Sequence, residues 1–321
     1  MITARHLEKS YGPVHAVRDL SFDVRPGVVT GFLGPNGAGK STALRLMLGL
    51  DRGGGTATFG GHRFVEIRRP LRVVGAALDA TAFHPTRTAR RHLRMLASSA
   101  ALPADRVDEV LGLVGLEGAA DRAPGGFSLG MGQRLALAAA LLGDPEYLVL
   151  DEPANGLDPE GIQWLRQLLG QLAAQGRCVL VSSHLLAEMG LMAQDLVVIG
   201  RGQLIWQGAA SDFVDRFTGR AAVVRTPHAD LLGSLLQQAG VTRMEREPDG
   251  ALLLEGVDPA FVGDLAAAHG IPLHELSRRT ASLEDAFLRA TGAAAEYRAV
   301  PSPAGSLPGA ASAASDVGGA W

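Results

Sequence analysis

One short segment, residues 34–42, constrains this chain more than any other part of its sequence. It reads Gly-Pro-Asn-Gly-Ala-Gly-Lys-Ser-Thr and lies between the apolar run Val28–Leu33 and a helical pattern over Thr42–Leu50. Glycines let successive backbone N–H groups point at a phosphate, a helix N-terminus adds its dipole, and the Ser41 hydroxyl is a candidate Mg²⁺ ligand. The segment therefore predicts a nucleotide-phosphate site formed by Gly34, Pro35, Asn36, Gly37, Ala38, Gly39, Lys40, Ser41 and Thr42.

The lysine in this segment is unusual for the chain. Lysine and arginine together number 30, and only Lys9 and Lys40 are lysines. Arginine has thus taken nearly every cationic position, whereas Lys40 stands where a compact ammonium fits and a planar guanidinium does not. This contrast favours a phosphate site over an ordinary glycine turn.

A second candidate element follows the apolar run Tyr147–Leu150. The run is typical of a buried parallel strand, and it ends in Asp151 and Glu152. Ligands of α/β proteins bind at the carboxyl edge of the sheet, so both acids are expected at that edge. Asp151 is predicted to hold a metal ion, and Glu152 to orient or deprotonate an attacking water. The alternative is a solvated acidic turn, which the upstream glycine loop disfavours.

The order of apolar and helical patterns indicates an α/β protein. A helical stretch over Gly161–Gln175 separates the apolar run Tyr147–Leu150 from a second run, Cys178–Val181. Strand, helix and strand in this order predict a core with a parallel sheet. Residues 85–143 are rich in Ala, Leu and Arg at helical spacing, which predicts a helical region inserted into that core.

The later part of the chain indicates further units. A hairpin pattern over residues 197–206 closes the first unit, which we assign to residues 1–217. Residues 218–292 are predicted to form a small α+β accessory domain. Residues 293–321 consist mostly of Ala, Gly, Pro and Ser with few large apolar residues, so we predict a disordered tail.

Composition narrows the classes of partner. The net charge is −3 and the pI about 6.3, so the positive charge that holds a nucleic-acid backbone is missing, and no nucleic-acid partner is expected. No stretch reaches the roughly 18 apolar residues that a membrane span needs. Any membrane association is therefore expected to come through a partner. The single cysteine, Cys178, lies in an apolar run, which fits a reduced thiol and a cytoplasmic location.

Five motifs in their order and spacing resemble those of ABC ATPase domains. They are the phosphate loop, the signature-like segment Phe127–Arg134, the acidic strand end before Pro153, the loop Asn155–Pro159 and the segment Ser182–His184. The resemblance implies an α/β P-loop ATPase core with an antiparallel β subdomain and a helical signature lobe, followed by a small α+β C-terminal domain. It also implies ATP and Mg²⁺ as cofactors.

The resemblance assigns roles to five further residues. Tyr11 resembles the aromatic that stacks on adenine, and the alternative is a strand aromatic in the core. Ser128 and Gly130 resemble signature residues that contact the γ-phosphate bound by the opposite subunit, and the alternative for Ser128 is a plain N-cap. Asp158 resembles the loop acid that communicates across the dimer. His184 resembles the switch histidine that reaches the γ-phosphate and the attacking water, whereas a lone histidine at a strand end is usually structural.

The chain departs from the family pattern at two places. The usual signature reads Leu-Ser-Gly-Gly-Gln, and Leu129 and Met131 replace its first glycine and its glutamine. The glutamine expected between the phosphate loop and the signature is also absent, and Asp79 stands in the matching place. Asp79 is expected to lie near the bound nucleotide and to couple it to transport. The alternative is that Asp79 caps the turn before Thr81.

The surroundings of Asp79 resemble one branch of the family. With Phe83 and Pro85 after it, the segment is similar to the bacitracin-export and lantibiotic-immunity type of ABC-2 exporters, as is the segment over residues 281–288. This resemblance implies a head-to-tail homodimer, or a pair of ABC ATPases, that hydrolyses ATP. The dimer would drive export through a separate ABC-2 type permease at the inner face of the cell membrane.

Three alternatives stay open. A soluble ABC protein acting on ribosomes or DNA is disfavoured by the single phosphate loop and by the short distance in sequence between Lys40 and Ser128, which leaves no room for a long coiled coil. A regulatory nucleotide-binding module without turnover is disfavoured by the intact Glu152. An importer ATPase is disfavoured by the context of Asp79.

Overall fold

A computed structural model of the chain describes residues 1–79, 81, 83–218, 221–279 and 282–291, which form 13 strands and 10 α-helices. The strands are β1 (Ile2–Tyr11), β2 (Val14–Val24), β3 (Val29–Leu33), β4 (Gly54–Phe59), β5 (Val74–Ala77), β6 (Tyr147–Asp151), β7 (Cys178–Ser183), β8 (Asp195–Gly200), β9 (Gln203–Ala209), β10 (Ala221–Arg225), β11 (Met244–Arg246), β12 (Leu252–Glu255) and β13 (Glu275–Arg279). The α-helices are α1 (Lys40–Met47), α2 (Ala89–Ser99), α3 (Arg106–Leu113), α4 (Leu129–Leu141), α5 (Pro159–Ala174), α6 (Leu186–Met192), α7 (Ala210–Thr218), α8 (Ala229–Gln238), α9 (Pro259–Ala268) and α10 (Leu283–Thr291).

The centre of the molecule is a six-stranded sheet in the order β5-β6-β7-β3-β8-β9. Its first five strands are parallel, and β9 returns antiparallel to β8 in the hairpin that the sequence predicts. The parallel strands are continuous apolar runs because helices cover both faces of the sheet. In the register of the sheet, Leu33 pairs with Ser183 and Asp151 with Ser182. The carboxyl ends of β3, β6 and β7 therefore meet at one edge, and the predicted α/β fold is confirmed.

A three-stranded antiparallel sheet in the order β2-β1-β4 packs beside α1. Its buried face includes Ile2, Leu20 and Phe22, and the Phe22 ring stacks on Phe32 of β3 with 5.3 Å between the ring centroids. This aromatic contact joins the antiparallel sheet to the central sheet. The loop before α1 consequently has the antiparallel sheet on one side and the central sheet on the other.

The helical region between β5 and β6 contains α2, α3 and α4. Leu93, Val110 and Leu135 are fully buried, one from each of these helices. The Ser128 side chain accepts a hydrogen bond from Met131 N and so caps α4, which runs from there into β6. None of the helices within the described ranges is long and apolar enough to cross a membrane.

The C-terminal part contains a four-stranded antiparallel sheet in the order β11-β12-β10-β13. Helices α8 and α9 cover this sheet, with Leu232 and Val262 fully buried against it. Helix α10 leaves this unit and packs on α6 and α7, where Ala286 and Phe287 join the core around the central sheet. The division of the chain at residues 217 and 292 stays a prediction. The predicted tail, residues 293–321, lies outside the described residues.

Candidate functional site

The glycine-rich loop joins β3 to α1, and its backbone geometry explains its composition. Gly37 and Gly39 have φ angles of 79° and 97°, in the left-handed region that side chains disfavour. A Cβ atom at Gly39 would lie 2.2 Å from the carbonyl oxygen of Ala16. Any side chain at this position would therefore push the loop away from β2, and glycine is required both by conformation and by space.

Lys40 begins α1 and points back over the loop. Its side chain is 7% exposed, and Nζ donates a hydrogen bond to the Gly34 carbonyl oxygen over 2.7 Å. Burial lowers the pKa of Lys40, while the negative charges of Glu152 and Asp151 raise it. Nζ lies 3.8 Å from Glu152 Oε1. The Lys40 ammonium lies between the Gly34 carbonyl oxygen and the Glu152 carboxylate, where it can donate a hydrogen bond to a phosphate oxygen.

The two acids at the end of β6 are held by Ser182 of β7. The Ser182 hydroxyl donates a short hydrogen bond to Asp151 Oδ1, and it accepts one from the Glu152 backbone N–H over 2.9 Å. Glu152 adopts a φ of 49°, a left-handed conformation that is uncommon for residues other than glycine. This conformation turns the chain sharply, so that neighbouring acids in sequence take different hydrogen-bond partners.

The Glu152 carboxylate is paired with His184. Glu152 Oε2 lies 2.7 Å from His184 Nδ1, and it also accepts a hydrogen bond from the His184 backbone N–H over 3.3 Å. The carboxylate is 21% exposed and the imidazole 40% exposed. Glu152 is thus oriented by a histidine on one side and Lys40 on the other, with access to water. A carboxylate in this position can orient a water molecule or take its proton.

These groups surround one cavity of about 400 Å³. The structure brings together there eight consecutive residues, from the loop and the first turn of α1, and the side chains that follow β6 and β7. The cavity is lined by Pro35, Asn36, Gly37, Ala38, Gly39, Lys40, Ser41, Thr42, Glu152, His184, Ala16 and Asn155. Gly34 is buried and does not line the cavity. A Cβ atom at this position would lie 2.8 Å from the Ile199 carbonyl oxygen, so there is no space for a side chain.

The predicted metal ligands fit Mg²⁺ by their chemistry. Ser41 is exposed in the wall of the cavity, and Asp151 ends the adjoining strand β6. The Asp151 charge acts on Lys40, so the carboxylate lies within electrostatic reach of the loop. Hydroxyl and carboxylate oxygens are the protein ligands that Mg²⁺ prefers, usually beside substrate phosphates and water.

The signature residues lie outside this cavity. Ser128 is exposed at the N-terminus of α4 and caps it, which is the alternative that the sequence left open. Gly130 approaches the loop that follows Glu152, because a Cβ there would lie 2.8 Å from the Gly156 carbonyl oxygen. Leu129, which stands where the usual signature has glycine, packs over Gly156 and is 52% exposed. A contact of Ser128 and Gly130 with nucleotide requires a second chain and stays a prediction.

Three other predicted residues also lie apart from the cavity. Tyr11 is 51% exposed rather than in the core, and its hydroxyl donates a hydrogen bond to Asp51 over 3.1 Å. Asp158 caps α5 by accepting a hydrogen bond from Gly161 N over 2.9 Å. Asp79 is exposed, and its Oδ1 accepts hydrogen bonds from the backbone N–H and the hydroxyl of Thr81, each over 2.7 Å. The nucleotide roles of these three residues stay predictions.

Two residues of the site have functions that the sequence did not indicate. Ser182 holds both acids, and the side-chain amide of Gln133 donates a hydrogen bond to the Glu152 carbonyl oxygen over 3.2 Å. A polar residue closing an apolar strand could have pointed to Ser182. Gln133 gave no comparable signal, because a glutamine in a helix is usually exposed to solvent.

Comparison with known proteins agrees with this geometry. The family model described as ABC transporter matches residues 17–155, and a domain of unknown function, DUF8746, matches residues 220–284. The bacitracin transport ATP-binding protein BcrA of Bacillus licheniformis is 33% identical and covers 91% of this chain and 97% of its own length. The Nod factor export ATP-binding protein I of Burkholderia orbicola (strain AU 1054) is 36% identical over the same shares of the two chains. The resemblance to the bacitracin-export type is thereby confirmed.

Solved structures show the same architecture. An ATP-binding subunit of an ABC transporter superposes with a TM-score of 0.62 at 26% identity, covering 68% of this chain and 94% of its own. The dimeric structure of MJ0796, a bacterial ABC transporter cassette, superposes with a TM-score of 0.60 at 21% identity, covering 65% and 98%, and speaks for the fold alone. Sequence kinship over nearly the whole chain and a loop, acid and histidine gathered around one cavity lead to the same conclusion: this chain belongs to the ABC transporter family, as an ATP-binding subunit that hydrolyses ATP.

Proposed function

We propose that this chain powers export of an amphipathic compound through a separate ABC-2 type membrane permease, as one half of a dimer of ATP-binding subunits. The observation that carries the catalytic part is the Glu152 carboxylate, held between Lys40 and His184 at the phosphate loop. Export as the direction of transport is supported by the name of one relative, a Nod factor export protein.

The proposed reaction begins with ATP in the loop. Backbone N–H groups of the loop and the Lys40 ammonium neutralise the β- and γ-phosphates. Glu152 takes a proton from a water molecule as the water oxygen forms a bond to the γ-phosphorus. The bond to the oxygen that bridges the β- and γ-phosphorus atoms breaks, and ADP and inorganic phosphate leave. His184 keeps the Glu152 carboxylate oriented through Nδ1.

Mg²⁺ is the second cofactor of this proposal. Ser41 and Asp151 would hold it, and the bound ion would supply positive charge to the phosphate oxygens. Ser182 positions Asp151 for this role by the hydrogen bond to Oδ1. The other carboxylate oxygen of Asp151 accepts no hydrogen bond from the part of the chain that the structure describes, so it could bind the ion.

Dimer formation completes the site in this proposal. Ser128 is exposed at the N-terminus of a 13-residue helix, where the helix dipole and free N–H groups favour an anion. A second chain packed head to tail would bring its Ser128 and Gly130 to the γ-phosphate, with Asp158 near the contact. Nucleotide held between two chains binds the closed form more tightly than the open one, so ATP shifts the equilibrium towards closure.

The experiment uses the full chain and the membrane protein encoded beside its gene. Inside-out vesicles containing both are supplied with Mg-ATP and dye-labelled bacitracin, and matched vesicles carry Glu152→Gln. We expect the chain to sediment with vesicles only when the permease is present, and dye to accumulate only with the wild-type chain. Sedimentation with ribosomes, or dye accumulation in right-side-out vesicles alone, contradicts the proposal in favour of a ribosomal ABC protein or an importer.

A further inference from the structure

A second groove lies between α5 and α6, away from the loop cavity, and has a volume of about 430 Å³. Its lining is mixed, with apolar walls and one group of each charge. We name it the α5–α6 groove, defined by Pro159, Ile162, Arg166, Glu188, Leu191 and Met192. Leu191 is 71% exposed, more than any other large apolar side chain in the described part of the chain. Leu191 lies beside Pro159, Ile162 and Met192, so the exposed apolar surface is contiguous, as at sites that another molecule covers.

Neither charged group of this groove forms an ion pair with another of the described residues. Oε2 of Glu188 is buried and has no hydrogen-bond partner among the described residues. Burial raises the pKa of Glu188, the negative charge of Glu152 raises it further, and His184 offsets part of the rise. The Arg166 guanidinium lines the same groove and likewise makes no hydrogen bond or ion pair within the described ranges. A carboxylate left buried in this way is costly unless a donor reaches it from outside.

A patch that carries an acid and a base that do not meet each other is complementary to itself. In a dimer with twofold symmetry, the same patch of both chains faces its copy, and a residue i that contacts j is matched by j contacting i. The groove also adjoins the residues expected at the dimer contact, since α5 begins directly after Asp158 and α6 begins two residues after His184. The position and the charges therefore favour the same partner.

We propose that the α5–α6 groove is a contact surface for a second copy of this chain, in which Arg166 pairs with Glu188 of the partner subunit and Leu191 becomes covered. This inference rests on the dimer of the proposed function, and it goes further by naming the residues and by favouring a homodimer over two different subunits. The pairing also brings a positive charge towards Glu188, a group whose pKa responds to Glu152 and His184.

The test measures dimer formation of the full chain in the Glu152→Gln background with Mg-ATP, by analytical ultracentrifugation over a range of concentrations. Arg166→Glu and Glu188→Arg are each added to this background, alone and then as an equimolar mixture of the two proteins. In either variant alone, both contacts across the twofold axis are repulsive. In the mixed dimer, both contacts are attractive, whereas a pair formed inside one chain gains nothing from mixing.

We expect each reversed protein alone to dimerise at least about ten-fold more weakly than the parent, and the mixture to recover most of the lost affinity. Gln167→Glu and Ala187→Arg, on exposed positions of the same two helices, serve as charge controls that leave the dimer constant within about two-fold. Glu188→Gln replaces Glu188→Arg if the reversed chain does not fold, and should also weaken the dimer.

Three results would overturn the inference. Dimers of normal strength from each reversed protein alone would show that the groove lies outside the contact. A mixture as weak as its components would show that the two residues do not pair between chains. Normal dimers combined with loss of binding to permease-containing vesicles would identify the permease as the occupant. A parent that stays monomeric with Mg-ATP contradicts the proposed dimer itself, and is distinguished from the other results because no charge change is involved.

Discussion

The side-chain amide of Gln133 donates a hydrogen bond to the backbone carbonyl of Glu152 over 3.2 Å. Gln133 lies in α4, the helix that Ser128 caps, while Glu152 is the acid that faces the phosphate loop. Glu152 has a φ of 49°, and such a conformation persists only where the surroundings hold it. The signature helix and the catalytic acid are therefore tied together within one chain, and Gln133 is a positioning residue.

Replacing Gln133 by glutamate tests this tie, because the two side chains have the same shape and only glutamine has an N–H to donate. A net hydrogen bond contributes about 1 kcal/mol, so we expect kcat for ATP to fall about three- to ten-fold. KM for ATP should change little, since the bond acts on Glu152 and not on the phosphates. Steady-state ATPase assays measure kcat and KM for the wild type and Gln133→Glu, with Gln171→Glu on α5 as the control. Equal kcat values for Gln133→Glu and the wild type would exclude the positioning role.

Lys40 and Glu152 should separate ATP binding from ATP hydrolysis. Lys40→Ala removes a buried ammonium that meets the phosphates of the ground state, so nucleotide binding should be lost. Glu152→Gln keeps the shape of the side chain but cannot take a proton from water, so binding should survive while kcat falls about 100-fold or more. Calorimetry with ATP and phosphate release measure the two effects. Glu160→Gln, an exposed acid in the first turn of α5, should leave both unchanged.

Of two glycine-to-alanine changes, one should weaken ATP binding and the other should stabilise the fold. Gly39→Ala places a Cβ 2.2 Å from the Ala16 carbonyl oxygen at a φ of 97°, so the loop must move and ATP affinity should fall at least about ten-fold. Gly170→Ala lies within α5 with no atom within 4 Å of the added Cβ, and it should raise the free energy of unfolding by about 0.5–1 kcal/mol. Urea unfolding and nucleotide titration measure the pair. Tight ATP binding by Gly39→Ala would mean that the loop tolerates a side chain there.

Helix α10 should stabilise the core around the central sheet although it follows the small C-terminal sheet. Phe287 is 7% exposed and packs in the core that includes Phe213, so Phe287→Ala should lower the free energy of unfolding by about 3 kcal/mol. Leu288, the next residue, is 61% exposed, and Leu288→Ala should cost less than about 0.5 kcal/mol. Thermal unfolding monitored at the nucleotide site compares the two. Similar melting temperatures for Phe287→Ala and Leu288→Ala would show that α10 does not stabilise this core.

The hydrogen bonds from Thr81 to the Asp79 carboxylate should be visible in the pKa of Asp79. Hydrogen bonds from the Thr81 hydroxyl and backbone N–H lower the pKa of Asp79, so they stabilise the folded chain at neutral pH and lose that effect as the pH falls through the folded-state pKa. Thr81→Val removes the hydroxyl but keeps the backbone donor, so the pKa should rise part of the way to its ordinary value. Carboxyl ¹³C NMR titration measures the change. Thr86→Val should leave Asp79 unmoved, and an unmoved Asp79 in Thr81→Val would refute the turn.

Local chemistry made much of the site predictable from the sequence. The glycines of the phosphate loop, the retained lysine and the apolar runs before Asp151 and His184 are short-range signals, because each depends on backbone freedom, charge or strand burial within a few residues. A parallel sheet then brings the carboxyl ends of its strands to one edge, so the meeting of Lys40, Glu152 and His184 follows from strand order. The hairpin of β8 and β9 was predictable for the same reason.

Only the tertiary structure decided the contacts between distant segments. Helix α10 buries Ala286 and Phe287 against α6 and α7, although any apolar surface could have covered these side chains. Likewise, a glutamine amide has many possible acceptors, and the approach of α4 to β6 selected the Glu152 carbonyl for Gln133. The hydrophobic effect is non-directional and hydrogen-bond donors are interchangeable, so a sequence states which groups need partners, and the packing of the whole chain assigns them.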